Sequence, residues 1–155
     1  MPVLRESLDR EGALVSILVG LSDSSIRRLR SQFQPIPQPV ECRALLDTGA
    51  EITCVDSRLV ESLNLVDGGF SFANVPSVRE STMLASLYDL SLTILHPSGE
   101  ALDHLALPNW RVLELPLRSF DYQVLVGRDV LVKCQFVFDG INERFSLKYP
   151  HRFSG

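Results

Sequence analysis

The sequence predicts a mainly β domain with two or three short helices. Runs of strand length, either continuously apolar or alternating between apolar and polar residues, recur along the chain, and turn residues separate them. No strand–helix unit repeats, as it would in a parallel α/β sheet. With 155 residues, the chain has the usual size of a single domain.

The first part of the chain predicts a strand, a helix and a proline-rich loop. Residues 13–19, ALVSILV, are a nearly continuous apolar run that indicates a buried strand. Residues 21–25 are rich in Ser and Asp, which cap helix N-termini, so a short helix follows. It has to end before residues 34–39, QPIPQP, because alternate prolines remove backbone donors. A stiff surface loop is the simpler interpretation of this segment, and a ligand for a domain that binds Pro-rich peptides is the alternative.

A second strand and a second short helix follow. Residues 40–46 predict the strand, and residues 44–46 are apolar in succession, as in a strand that is covered on both faces. A short helix begins at Asp56 or Ser57, since either residue is a good N-cap. We expect Asn64 to adopt the left-handed conformation that ends this helix.

The middle of the chain has one clear strand. Residues 70–86 show no consistent period and are predicted to form a loop or a hairpin. Residues 88–94 alternate strictly between apolar and polar side chains, which indicates a strand with one face in solvent. A turn over residues 96–99 ends it, and a further strand is predicted over residues 111–115.

The last third of the chain predicts a strand, a helix and a hairpin. Residues 122–126 form an apolar strand that ends at Gly127, and residues 128–134 fit a short helix. Residues 135–149 are typical of a β-hairpin, with a turn at residues 140–143. The tail, residues 151–155, is expected to be frayed.

Composition and charge exclude several classes of function. The net charge is −4 and no long basic run occurs, so nucleic acid is not expected as a partner. No apolar run approaches the roughly 18 residues that span a membrane, and the charged N-terminus lacks the apolar region of a secretory signal. The three cysteines are widely spaced and suit a reducing compartment, so we expect a cytoplasmic protein.

Metal and nucleophilic chemistry are poorly supported by the residues. The three histidines stand apart at turn and tail positions, so no metal and no cofactor is expected. Cys42 and Cys54 flank the segment discussed next; small buried apolar residues are the simpler interpretation, and a nucleophile with a paired base is the alternative. Trp110 is interpreted as an anchor in the core or at an interface, and a stacking platform is the alternative.

The segment LLDTGA, residues 45–50, carries the most specific chemical signal. A carboxylate directly after a buried strand is unfavourable unless its neighbours supply hydrogen bonds. Thr48 offers a hydroxyl, and Gly49 lets the backbone approach closely. The tripeptide Asp-Thr-Gly alone is common in ordinary turns, so the neighbouring sequence decides whether it indicates a catalytic site.

In that context the chain resembles the retropepsin-like aspartic proteases. In that family, D-[ST]-G-A follows two apolar residues, and later an apolar strand leads into G-R-[DN]-x-L. This chain has LLDTGA at residues 45–50 and VLVGRDVL at residues 124–131, in the same order. The alternating strand at residues 88–94 and the terminal hairpin are similar to bacterial members in particular. The resemblance covers roughly residues 13–149.

The resemblance implies the fold and the domain organisation. It implies a closed β-barrel, the half-fold of a two-lobed acid protease, which forms a C2 homodimer. Residues 13–149 would be the protease domain, with an N-terminal extension at residues 1–12 and a C-terminal tail at residues 150–155. Residues 21–39 would be an insertion of a helix and a Pro-rich loop, and residues 74–87 would hold the flap that covers substrate.

The resemblance also assigns roles to residues near the first motif. Asp47 matches the catalytic aspartate, and Thr48 matches the residue whose hydroxyl ties the two active-site loops together across the dimer. Gly49 completes the catalytic motif. Arg128 matches an arginine that supports the active-site loop through an acid, which here would be Glu51. The residues expected to contact substrate are Ala50, Glu51, Ser81, Thr82 and Met83.

The implied reaction needs a second copy of the chain. Peptide hydrolysis in this family uses two carboxylates about 3 Å apart that share one proton, as in the known aspartic-protease pair. The chain contains one Asp-Thr-Gly, and its two Asp-Ser pairs lack the glycine. The second Asp47 is therefore expected from a homodimer partner, and the substrate is expected to be a polypeptide.

The sequence departs from the family in the predicted flap, and an alternative function stays open. No glycine occurs between Gly69 and Gly99, whereas retroviral flaps are usually rich in glycine at the tip. A fold can also persist without its activity. The alternative hypothesis is therefore a catalytically silent domain of this fold that dimerises or binds peptide.

Overall fold

The computed structural model describes residues 1–66, 69–74 and 82–153, with the backbone alone for residues 70–74, 82 and 83. Within these ranges the α-helices are α1 (Asp23–Ser31), α2 (Ser57–Ser62) and α3 (Arg128–Leu131), and a 3-10 turn spans Ala101–Asp103. The strands are β1 (Val3–Ser7), β2 (Leu14–Leu21), β3 (Val40–Leu46), β4 (Cys54–Asp56), β5 (Phe70–Asn74), β6 (Thr82–Ile94), β7 (Leu105–Leu115), β8 (Val124–Val126), β9 (Gln135–Asp139) and β10 (Arg144–Lys148).

Six of the described strands close into a barrel. Their order is β2, β3, β8, β4, β7 and β6, and β6 pairs back onto β2. The pairs β3–β8 and β4–β7 are parallel, and the other barrel pairs are antiparallel. Apolar side chains such as Ile17, Val19 and Leu90 are completely buried in the core. The closed barrel with few, short helices confirms the predicted mainly β fold class.

The long strand β6 serves both the barrel and a hairpin. Its first five residues pair with β5, from Phe70 opposite Ser86 to Asn74 opposite Thr82. From Leu87 onward it pairs with β7, and its end also pairs with β2. The segment predicted as a loop or hairpin is therefore a hairpin. Of the predicted flap, residues 75–81 lie outside the described residues.

Strand β7 is longer than predicted and contains a bulge. The sequence predicts a strand only over residues 111–115, and Pro108, which precedes them, is a residue that is unfavourable inside a ladder. In the structure Leu90 lies opposite Trp110 and Leu92 lies opposite Leu107, so two residues of β7 face one residue of β6. Pro108 lies in this bulge, where a ladder hydrogen bond is missing in any case. The prediction was wrong because the bulge accommodates the proline.

A second sheet joins the two ends of the chain. β1 pairs with β10, and β10 pairs with β9, both antiparallel. Residues 1–12, predicted as an extension, thus contain a strand whose Leu4 is buried in the main core. In the predicted tail, Phe153 packs partly buried against the same core, and residues 154 and 155 lie outside the described residues.

Polar residues mark the start of α1 and the end of α2 as predicted, whereas α3 differs from its prediction. Ser22 caps α1, since the Ser25 N–H donates to its hydroxyl at 3.2 Å. Asn64 has a left-handed φ of 49° directly after the cap of α2. α3 is shorter than the predicted helix over residues 128–134, because regular helix ends at Leu131. Residues 34–39 form no regular secondary structure, as the prolines predict.

Candidate active site

Asp47 begins a tight loop at the carboxyl end of β3. The preceding Leu46 is buried in the core, whereas Asp47 is partly exposed. Its backbone N–H donates to the carbonyl of Val126 at 2.9 Å, and the Ala50 N–H donates to the Asp47 carbonyl at 3.2 Å. The loop is thus anchored to β8 at its start, with its carboxylate beside solvent.

The neighbouring glycine holds the carboxylate. The Gly49 N–H donates to Asp47 Oδ1 at 2.8 Å. A Cβ at position 49 would lie 3.0 Å from that same oxygen, closer than nearly all real contacts of this kind. Thr48 and Gly49 are exposed, and Ala50 is half-buried. The structure therefore brings Asp47, Thr48, Gly49 and Ala50 together at one exposed turn.

Arg128 supports the loop through a different acceptor from the predicted one. Its Nη1 donates to the Thr48 carbonyl at 2.9 Å. The ion pairs within 4.0 Å among the described residues do not include a pair between Arg128 and Glu51, which corrects that prediction. The backbone N–H of Arg128 donates to the Ala50 carbonyl at 2.8 Å, which joins the start of α3 to the loop. Glu51 is exposed.

Gly127 lets the two motifs pack against each other. A Cβ at position 127 would lie 2.8 Å from the Ile52 carbonyl carbon and 2.9 Å from the Ala50 oxygen. Both are backbone atoms, so no side-chain movement could relieve the contact. The glycine before Arg128 is therefore needed for close approach, although its φ of −88° suits any residue.

Thr53 and Asp129 complete the support of the loop, and neither residue was predicted from the sequence to have a role in the site. Thr53 is fully buried and donates to Asp129 Oδ1 from its hydroxyl at 2.7 Å and from its N–H at 3.1 Å. The same hydroxyl accepts the Gly127 N–H at 3.1 Å. A hydroxyl in the apolar run of residues 52–55 was the signal that could have identified Thr53.

The predicted substrate contacts of the flap remain predictions. Ser81 lies outside the described residues, and only the backbone of Thr82 and Met83 is described, at the start of β6.

The thiols near the loop are poor nucleophiles. Burial, reinforced by Asp129 and then Asp47, raises the pKa of Cys54 to about 12. Burial, followed by Glu41, raises the pKa of Cys42 to about 12. Both thiols are therefore neutral near pH 7, which favours their interpretation as small apolar residues. Within the described ranges, no group of three or more His, Cys, Asp or Glu side chains is placed to hold a metal ion.

Comparisons with known proteins agree with this architecture. No protein-family model and no curated protein sequence matches the chain. The structure is similar to the crystal structure of a retropepsin-like aspartic protease from Rickettsia conorii, with a TM-score of 0.55 and 14% sequence identity. The match covers 95% of this chain and 90% of that chain. At this identity the similarity shows the fold, which is retropepsin-like.

Proposed function

We propose that this protein is an aspartic endopeptidase that works as a homodimer, with one Asp47 from each chain. One observation carries the proposal. Asp47 lies beside solvent at the carboxyl end of β3, in a loop that Gly49, Arg128 and Gly127 hold in place. The similarity in fold to a retropepsin-like aspartic protease supports the proposal.

The two Asp47 carboxylates divide the chemistry between them. Like charges so close cannot both ionise, so the pair shares one proton. The ionised carboxylate accepts a proton from a water molecule as its oxygen attacks the scissile carbonyl carbon. The protonated carboxylate gives its proton to the carbonyl oxygen, which forms a tetrahedral diol. The carboxylate that took the proton of the water then gives it to the amide nitrogen as the C–N bond breaks. A hydroxyl of the diol returns a proton to the other carboxylate, so that an amine and a carboxylic acid are released and the pair again holds one proton.

The remaining site residues bind and orient substrate in this proposal. The exposed hydroxyl of Thr48 would link the two loops across the two-fold axis, where the Arg128 bond to its carbonyl holds the residue. Ala50 and Glu51 would line the cleft. The hairpin of β5 and β6 would cover it, with Ser81, Thr82 and Met83 contacting the polypeptide.

The proposal also includes the cellular compartment of the protein. Cys42, Cys54 and Cys134 are all free thiols, which supports a reducing compartment such as the cytoplasm. Among the described residues, no helix is long and apolar enough to span a bilayer.

The test compares the wild type with Asp47→Asn on an unstructured, dye-labelled casein substrate between mildly acidic and neutral pH. The variant keeps an acceptor for the Gly49 N–H, so it should fold and dimerise normally while cleavage is lost. Asp121→Asn, at an exposed aspartate, is the matched control and should cleave like the wild type. Equal cleavage by wild type and Asp47→Asn contradicts the proposal. Absence of cleavage by every protein favours the catalytically silent domain.

A further inference from the structure

We propose that the indole of Trp110 is a positioning group for the loop that carries Asp47. It acts through Asp129 and Thr53, and the inference rests on the proposed peptidase function. Trp110 touches neither substrate nor the reacting atoms in this proposal. Its effect is to fix the orientation of a carboxylate on which the loop depends.

The Asp129 carboxylate is held from two sides. Its Oδ1 accepts three hydrogen bonds, from the Thr53 hydroxyl at 2.7 Å, the Thr53 N–H at 3.1 Å and the Val130 N–H at 3.0 Å. Its Oδ2 accepts the indole N–H of Trp110 at 2.9 Å. Since a carboxylate is planar, tying both oxygens fixes its rotation. Without the indole, the carboxylate can turn about its bond and weaken its contact with Thr53.

A continuous set of contacts leads from Thr53 to the loop. The Thr53 hydroxyl accepts the Gly127 N–H at 3.1 Å. Gly127 in turn lies against the backbone of residues 50–52 with no space for a side chain. The next residue, Arg128, donates to the Thr48 carbonyl at 2.9 Å. A shift of Asp129 is therefore transmitted to the backbone beside Asp47.

The indole itself is held by the bulge and by two side chains. The bulge in β7 immediately precedes Trp110, and bulges redirect the side chains that follow them. Lys133 Nζ lies 5.3 Å from the centre of the Trp110 ring and 5.1 Å from that of Phe153. The two rings pack at a centroid distance of 6.4 Å. These contacts keep the N–H directed at Asp129.

The variant Trp110→Phe separates positioning from packing. Phenylalanine keeps an aromatic ring for Phe153 and Lys133 but removes the donor to Asp129. Phe136→Leu is the matched control, because Phe136 is also a partly buried aromatic residue against the same core and has no hydrogen-bonding group. Both variants lose some packing, and only the first loses the indole hydrogen bond.

The first measurement is steady-state kinetics on a peptide derived from a casein cleavage site. We expect Trp110→Phe to lower kcat roughly tenfold and to change KM less than about twofold, because small displacements of a catalytic group act on the chemical step. Phe136→Leu should leave kcat within about twofold of the wild type. An unchanged kcat in Trp110→Phe overturns the proposal.

The second measurement does not depend on activity. Amide hydrogen exchange should become faster at Thr53 and Gly127 in Trp110→Phe, and stay at the wild-type rate in Phe136→Leu. Asp129→Asn should accelerate the same amides, and adding Trp110→Phe to it should have little further effect. If the wild type cleaves nothing, the proposed function fails, while these exchange rates still decide the role of Trp110. Unchanged exchange in Trp110→Phe overturns that role.

Discussion

Gly127 shows that the absence of a side chain at one glycine can determine the geometry of a site. The atoms nearest to a Cβ at this position belong to the backbone of the Asp47 loop, and they would lie at 2.8 to 3.0 Å. The residue is therefore constrained by contact and not by its φ angle. The loop and the start of α3 can approach only because position 127 is glycine.

Gly127→Ala should consequently destabilise the protein. We expect a loss of about 1–3 kcal/mol in the free energy of unfolding, since added volume in a close-packed site forces backbone shifts. Gly140→Ala is the control, because a Cβ there would meet its nearest atom at an ordinary 3.7 Å. Denaturant unfolding of the two variants measures the difference. Equal stabilities would show that the loop can move away without penalty.

Asp56 makes the stability depend on pH. Burial of its carboxylate opposes ionisation, but hydrogen bonds from the Leu117 N–H and from Arg58 outweigh burial and hold the pKa below its ordinary value. The ionised form is therefore bound more strongly in the folded state. Its contribution is fully present above the unfolded pKa and is lost as the pH falls through the lower, folded pKa.

Asp56→Asn should remove this part of the acid sensitivity. We expect the variant to be less stable than the wild type near pH 7, and the gap between them to narrow as the pH falls below about 4. Thermal unfolding across this range measures it, with Asp121→Asn at an exposed site as the control. A gap that is constant with pH would show that the carboxylate charge is not involved.

The sequence predicted the site residues that belong to a recognisable chemical motif. Asp47, Thr48 and Gly49 form a contiguous motif, so their proximity follows from chain order. The partner of Arg128 was wrongly predicted, because the choice between the Glu51 carboxylate and the Thr48 carbonyl depends on loop geometry. Thr53 and Trp110 meet at Asp129 only in the folded chain, so no local pattern reveals them.

At the scale of elements, β1 shows that a charged segment can still belong to the fold. Residues 1–12 were predicted to be an extension because the family resemblance begins only at about residue 13. In the second sheet, Leu4 points into the core while Arg5 and Glu6 lie in solvent. One buried side chain and a paired backbone suffice to place the strand.

Leu4→Ala should therefore act like a core substitution. Leu4 is only 1% exposed, and we expect truncation to lower the free energy of unfolding by about 2–5 kcal/mol. Arg5→Ala, on the exposed face of the same strand, should change it by less than about 0.5 kcal/mol. Denaturant titration compares the two variants. Similar small effects would show that β1 contributes little to the fold.

Elements with a strong local period were predictable, and elements decided by distant partners were not. Strands β2 and β3 follow from apolar runs, and α1 follows from its capping serine. The first half of β7 was missed because Pro108 suggests a loop unless the bulge opposite β6 is known. β1 was missed because its pairing with β10 joins the two ends of the chain.

At the scale of the whole molecule, the proposed site exists only between two chains. Each chain supplies one Asp-Thr-Gly, so two copies are needed for the carboxylate pair. A mixed dimer of wild type and Asp47→Asn would contain one active carboxylate and should be inactive. This property separates a shared site from a site complete within one chain.

The test mixes equal amounts of wild type and Asp47→Asn and allows them to exchange subunits. One quarter of the dimers is then purely wild type, so the mixture should retain about one quarter of the activity that the same total amount of wild type has. Independent chains would retain about one half. Sedimentation at the assay concentration verifies that both proteins and their mixture are dimeric. Retention of half the activity by an exchanged mixture contradicts the shared site.

The change of partner along β6 has a mechanical consequence for the molecule. Residues 82–86 bond to β5, whereas the strand from Leu87 onward bonds to β7 and β2. The hairpin therefore leaves the barrel at Leu87, where the N–H donates to the Gly69 carbonyl at 2.7 Å. Two residues earlier, Ala85 is buried together with Cys54 of β4 and Leu113 of β7. The base of the hairpin is thus held by packing as well as by hydrogen bonds, and a displacement of the hairpin at this point would have to break those contacts.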